Sequence, residues 1–299
     1  MDWSKAKTYF IVTFLLLDLL LGYQFYSAQK EAAEYVQSFS SQLQELKDVL
    51  SERKMVLQTE VPKETPVMHF LQASHPKEPF ADIAQDTFHG VSLVEDDKSK
   101  GTMKFKTNDG EFGVTGNGYF TMRYTPTLRM DGDSTPSKLG ALVMAKIDGT
   151  VWHQDLYRED LINHDRSVVR YLQSYQKYPI FSALLEVHLQ NSEIVGYNQK
   201  ALEVGDEQES GQRVLSAISA VRAVADSLDP GTPAHLQPAN AGDGNSGAPV
   251  AIRDIKLGYY SPNYDDADVW YLWPMWRIVT DQKVYYVNAF TGQVENGTP

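Results

Sequence analysis

DVWYLWPMWRIVT (Asp268–Thr280), followed after two residues by KVYYVNAF (Lys283–Phe290), reads as a pair of adjacent strands. Aromatic and β-branched residues dominate both, and Thr291-Gly292 supplies a turn that ends the run. With a period of two, Tyr271, Trp273 and Met275 share one face of the first strand, while Trp270 and Leu272 share the other. One face is therefore expected in the core and the other in solvent. With Tyr259, Tyr260, Tyr264 and Trp276 these residues make a dense aromatic cluster. It reads either as core with a domain contact or as a binding surface, since Trp and Tyr are favoured interface anchors and stack on sugars.

Working outward, AIRDIKLGYYS (Ala251–Ser261) adds a strand upstream. Before it lies the tract 229–249, almost pure Pro, Gly, Ala, Asn and Asp, which reads as a long mobile loop. A helix precedes that loop over GQRVLSAISAVRAVADSL, with Val214, Ile218, Val221, Ala225 and Leu228 on one stripe. FSALLEVHL and SEIVGYNQKALEV form an expected hairpin joined at Gln190-Asn191. Further back, a helix is expected after a cap at Asn163, with Val168, Val169, Leu172 and Tyr175 on its apolar side. Residues 161–299 thus form one antiparallel-sheet-plus-helix module.

A similar module is expected over 81–160. HGVSLVEDD, TMKFKTND, GEFGVTG and GYFTMRYTP are short strand-like runs. The turns Lys100-Gly101, Asp109-Gly110 and Asn117-Gly118 separate them as in a meander. A helix over SKLGALVMAKI (Ser137–Ile147) and a short strand from Thr150 complete it. The fold class predicted is α+β. Pro62, Pro66, Pro76 and Pro79 mark residues 61–80 as a linker.

The N-terminal part is different in kind. YFIVTFLLLDLLLGYQFYSA (Tyr9–Ala28) is the one stretch apolar enough to cross a membrane. About twenty residues at 1.5 Å each span roughly 30 Å of hydrocarbon. Lys5 and Lys7 precede it and no basic residue follows until Lys30, so residues 1–8 are expected in the cytoplasm and the rest outside. A cleavable signal peptide is the competing reading, opposed by bulky Tyr26 at the cleavage site. Asp18 sits at the centre of the span, where an acid costs about 2.5–3.5 kcal/mol on insertion scales. It predicts a partner helix; a protonated Asp tolerated by a very apolar helix is the plainer alternative. Residues 29–60 read as a helical stalk, with Val36, Phe39, Leu43, Leu46 and Leu50 on an a/d seam. Packing on its own domain and pairing with another helix explain that seam equally well.

Composition excludes several classes. The 299-residue chain carries a formal net charge of −12, which disfavours nucleic-acid phosphate and anionic lipid. There is no cysteine, hence no disulfide framework, thiolate site or Cys nucleophile. The seven histidines lack ligand spacing, and His188 is expected on the solvent face of a strand. Ser246, in a protease-like GNSGAP, lies in low-complexity sequence that would not hold an oxyanion hole rigid. Asp131-Gly132-Asp133-Ser134 begins like a calcium loop, but Leu142 stands where the bidentate Glu belongs. Glu95-Asp96-Asp97 and Asp265-Asp266 read as solvated clusters rather than paired glycosidase acids. No catalytic residue, cofactor or metal is expected.

The opening MDWSKAKTYFIVTFLLLDLLLGYQF and the ending YLWPMWRIVTDQKVYYVNAFTGQVE both resemble the YycI (WalI) family, with Asn288-Ala289-Phe290-Thr291-Gly292 the most recognisable part. The resemblance implies a single-pass protein of low-GC Gram-positive bacteria whose outer α+β domain pair is like the last two domains of its companion YycH. It further implies that, with a YycH-like protein, the chain tunes the histidine kinase WalK (YycG), which governs cell-wall metabolism. Asp18, Trp270, Trp273 and Trp276 are the candidate contact residues, and the bilayer is a partner through residues 9–28. Two other functions stand beside this one: an extracytoplasmic receptor for a cell-wall fragment, and a peptidase inhibitor of PepSY type, suggested by the closing strands.

Overall fold

The computed structural model describes residues 13, 14, 17, 21, 38–97, 101–130, 135–162, 166–207, 210–228, 249–261 and 269–296. Helix α1 (38–52) leads into β1 (Met55–Leu57), β2 (Val67–Met68), β3 (Leu71–Ser74) and α2 (Phe80–Thr87). A meander follows: β4 (Ser92–Asp97), β5 (Thr102–Lys106), β6 (Gly110–Thr115) and β7 (Tyr119–Arg129). Then come α3 (Pro136–Lys146), β8 (Tyr157–Ile162), β9 (Val168–Tyr175), β10 (Tyr178–Gln190), β11 (Glu193–Lys200), β12 (Glu203–Glu207) and β13 (Gln212–Arg213). Helix α4 (Ala217–Ser227) precedes the closing strands β14 (Val250–Tyr260), β15 (Val269–Thr280), β16 (Val284–Asn288) and β17 (Val294–Asn296). The described protein is thus mostly β-sheet with four helices.

One sheet of 15 strands runs in the order β12-β3-β15-β14-β10-β11-β7-β6-β5-β4, with β1, β8, β9, β16 and β17 attached off this path. The pairing is antiparallel except at β1–β14 and β10–β14. The β10–β11 hairpin turns at Asn191 and Ser192, both at positive φ, which is the two-residue turn that the strand twist favours.

Two main cores pack against this sheet. One is contiguous in sequence, from Ile83 of α2 to Ala201, and holds Phe105, Phe112, Phe120, Val143, Tyr171 and Leu185. The other gathers the two ends of the described chain: Leu46 and Leu50 of α1, Leu71 of β3, Val221 and Val224 of α4, and Ile252, Trp276 and Val287 from the closing strands. A small cluster of Leu172, Phe181, Met275 and Tyr286 lies apart from both.

Several expectations are corrected. The segment Val168–Tyr175 is a strand, paired on both sides with β8 and β10, not a helix. Val169 and Tyr171 face the contiguous core while Leu172 faces the small cluster, so burial on both faces imitates a helical stripe. Residues 61–80 are not simply a linker, because β2 and β3 lie there and bury Met68 and Leu71. The strand expected from Thr150 begins at Tyr157 instead, after a short 3-10 turn over Gln154–Leu156. The expected helix from Gly211 starts at Ala217, where the Ser216 hydroxyl accepts from the Ser219 N–H at 3.1 Å. The stalk helix ends at residue 52, and Met55–Leu57 turns into β1. Its seam is met by the protein itself: Phe39, Leu43, Leu46 and Leu50 pack into the end-built core. Glu45–Arg222 (2.9 Å) and Arg53–Asp226 (3.1 Å) tie α1 to α4. The boundary expected between residues 160 and 161 falls inside β8, and residues on both sides of it share the contiguous core. Among the described residues no helix is long and apolar enough to cross a membrane. The expected span Tyr9–Ala28 lies outside them apart from four isolated positions.

Candidate functional site

Strand β15 has the two-faced character that its alternation predicts. Leu272 and Trp276 are buried in the end-built core beneath α1 and α4. The opposite face begins with Val269, Tyr271 and Trp273, exposed at 44%, 46% and 41%. On the adjacent antiparallel strand, Gln72 is opposite Tyr271, which brings Phe70 alongside. The Phe70 ring lies 5.3 Å from Trp273, tilted by 32°, and 5.9 Å from Tyr271, edge to face at 88°. Single exposed apolar residues are ordinary, but exposed Tyr271 and Trp273 adjoining the half-buried Phe70 ring form a patch suited to an interface.

The same face becomes buried and charged further along. Tyr260 is opposite Trp273 on β14 and stacks on Tyr286 with ring centroids 4.0 Å apart and planes within 5°. Beyond it, Arg277 grips Asp160 of β8 with both Nη atoms, at 2.7 and 2.6 Å, and also reaches Asp254 at 3.0 Å. Lys256 donates to the same Asp160 carboxylate at 3.1 Å, and the guanidinium lies 4.8 Å from the Phe181 ring. Desolvation pushes the Asp160 carboxyl up, but hydrogen bonds and charge from Arg277, with Lys256, outweigh it and hold it below the usual carboxylate range. Burial opposes the Arg277 charge, and Asp160 and Asp254 restore it. Burial pushes the Tyr286 hydroxyl up to about 12. The cluster thus stays ionic at neutral pH and joins β8 to β14 and β15. Its chemistry is that of a structural tie.

Of the contact residues expected from sequence, Trp273 lies in the exposed patch. Trp276 is instead a core residue, 1% exposed, whose indole N–H donates to the Leu215 carbonyl at 2.9 Å. It is not available at the surface. The Trp270 backbone pairs opposite Ala73, and its side chain lies outside the described residues, as does Asp18. Phe70 was hidden by the prolines that made 61–80 look like a linker. Its signal is the alternation of Phe70 and Gln72 with buried Leu71 and Ala73.

The remaining sequence candidates are placed only in part. Glu95 pairs with Lys104 at 2.6 Å on the surface, and the His188 ring meets the Asn198 amide at 3.0 Å. Ser246, Asp131–Ser134 and Asp265-Asp266 lie outside the described residues. Among the described residues no group of three or more His, Asp or Glu side chains is placed to hold a metal ion.

A family model described as YycI protein matches residues 33–290. Among solved structures, the Bacillus megaterium YpeB C-terminal domain is similar at a TM-score of 0.40 and 9% identity, covering 76% of this chain and 99% of that one. No curated protein matches. With most of its length inside the family match, the chain belongs to the YycI family, regulatory proteins of the WalK (YycG) system that are not known as enzymes.

Proposed function

We propose that this protein is a non-enzymatic regulator, anchored in the membrane through residues 9–28 with its folded part outside the cell. It acts on a WalK-like histidine kinase together with a YycH-like partner. The observation that carries the reading, beside family membership, is the aromatic patch in which exposed Tyr271 and Trp273 adjoin the half-buried Phe70 ring. Aromatic anchors of this kind dominate the energetics of protein contacts. In the membrane, Asp18 supplies an interhelical hydrogen bond of about 0.6–2 kcal/mol. Regulation then follows from differential affinity: the complex biases the kinase only as far as it binds one packing of the kinase helices better than the other.

The test is co-purification and kinase autophosphorylation with the full chain in membranes. Asp18→Leu is expected to leave insertion intact and weaken kinase capture. Tyr271→Ala combined with Trp273→Ala is expected to weaken capture of the YycH-like partner. Unchanged capture in both variants overturns the proposal. The aromatic patch also supports a second reading, a receptor that stacks on cell-wall sugar. Muropeptide titration followed by Trp fluorescence separates the two, since a pure scaffold gives no saturable response.

A further inference from the structure

Where β8, β9, β10, β15 and β16 meet, a cavity of about 270 Å³ opens beside the Arg277 cluster. It is small beside ordinary ligand pockets, with room for roughly nine waters at 30 Å³ each. One side is apolar, with Leu172, Phe181 and Val284, and Tyr286 stacked on Tyr260 makes an aromatic wall. Waters against that side would lack the polar partners that buried water takes.

The charges around the cavity cancel. Arg277 and Lys256 stand against Asp160 and Asp254, with which they pair. Arg170 pairs with Glu186 at 2.6 Å, and the Lys200 ammonium lies over the Tyr119 ring, 5.0 Å from its centroid. An occupant with a net charge would unbalance this arrangement, and a buried unpaired charge is costly. What remains is hydrogen-bonding capacity. Arg277 is 5% exposed and its Nη atoms are taken, but its buried Nε–H has no hydrogen-bond partner within the described protein. The Ser182 hydroxyl is likewise buried and without such a partner. Arg170 takes one carboxylate oxygen of Glu186, which leaves the other as an acceptor. Native proteins rarely leave buried polar atoms unmatched. This set mixes a donor, an acceptor and a group that is either, and hydroxyls suit it because each both donates and accepts.

We propose that this cavity binds a single neutral sugar ring. One ring hydroxyl accepts from the Arg277 Nε–H, a second exchanges a hydrogen bond with Ser182, and the C–H face lies against Tyr286. The walls come from β8 and β9 of the contiguous half and from β15 and β16 of the end-built half, so an occupant touches both. Neither Tyr271 nor Trp273 lines the cavity, and its occupant is independent of the kinase reading and of sugar stacking at the aromatic patch.

The test is titration of the full chain, purified in a sugar-free detergent, with D-glucose, D-galactose and N-acetyl-D-glucosamine. D-glucuronate, D-galacturonate and D-glucosamine, in mildly acidic buffer, are their charged counterparts, and saturation-transfer NMR and thermal shift are the readouts. At least one neutral sugar is expected to bind saturably, with its charged counterpart weaker by on the order of tenfold. Ser182→Ala, which removes one hydroxyl from a folded strand, is expected to weaken that sugar by a similar factor while the thermal transition stays cooperative. Sugar held only at the aromatic patch would keep its affinity in this variant. No saturable binding by any of the neutral sugars, a thermal transition that climbs with sugar concentration without saturating, equal or tighter binding of the charged counterpart, or an unchanged response in Ser182→Ala each overturns the proposal.

Discussion

The two cores are built in opposite ways from the same sheet. The core between Ile83 and Ala201 is local: β4, β5, β6 and β7 follow one another in sequence and in space. The end-built core forms only when α1 and β3 meet α4 and strands β14, β15 and β16, about two hundred residues later in the chain. Contacts across such separations carry a larger loop-closure cost, so the end-built half depends on the rest of the fold more than the contiguous half does. The difference also separates roles. The contiguous half is closed over its aromatic rings, whereas the end-built half displays rings at the surface and holds the ionic tie to its neighbour.

The largest expected effect comes from cutting that tie. Asp160→Ala leaves Arg277 buried with its main partner gone, which is expected to cost about 3–5 kcal/mol in denaturant unfolding. A single transition of unaltered midpoint breaks the comparison; separate transitions for the two halves sharpen it. The wild type carries a related pH signature. Because the folded-state Asp160 pKa is depressed, its contribution is fully present above the unfolded carboxylate value, near 3.9, and is lost as pH falls through the folded value. Acid titration of Asp160→Asn should lack that component.

Next in size, Leu50→Ala empties a position 1% exposed in the end-built core and is expected to cost about 2–5 kcal/mol. Hydrogen exchange should rise first in β14–β16 and leave β5–β7 protected. Equal loss of protection in both regions would mean that the cores do not behave as separate units. Ser216→Ala removes the α4 cap and is expected to cost about 1 kcal/mol, read as faster exchange in the first turn of that helix. The smallest effect belongs to Trp273→Ala, within about 1 kcal/mol of the wild type because the residue is 41% exposed and lies at the surface, beside Phe70. A larger loss would place the aromatic patch among the fold's supports rather than its contact surfaces.

How much was legible follows the same division. The meander, the turn next to Gln190 and the two-faced character of β15 could all be read because turn chemistry and a period of two are local. The α4 stripe was legible too, although its first turn was set by the Ser216 cap six residues into the expected range. Phe70 escaped because prolines suggested a linker, and β9 was misread because both its faces are buried. The Asp160–Arg277 pair, 117 residues apart, has no signature in either surrounding segment.

By itself the sequence determined those local features, the absence of cysteine chemistry and the aromatic character of the closing strands. It also carried the family resemblance at both ends; the family match over residues 33–290 reaches the closing strands, and the opening 1–25 lies outside it. Only the tertiary structure decided that the α1 seam is met by α4 and the closing strands, and that Trp276 is core while Trp273 is surface. It alone brought Asp160, Ser182 and Arg277 to one cavity. The physical reason is range: turns and alternation depend on neighbouring residues, whereas burial and ion pairing depend on which distant strands the sheet brings together.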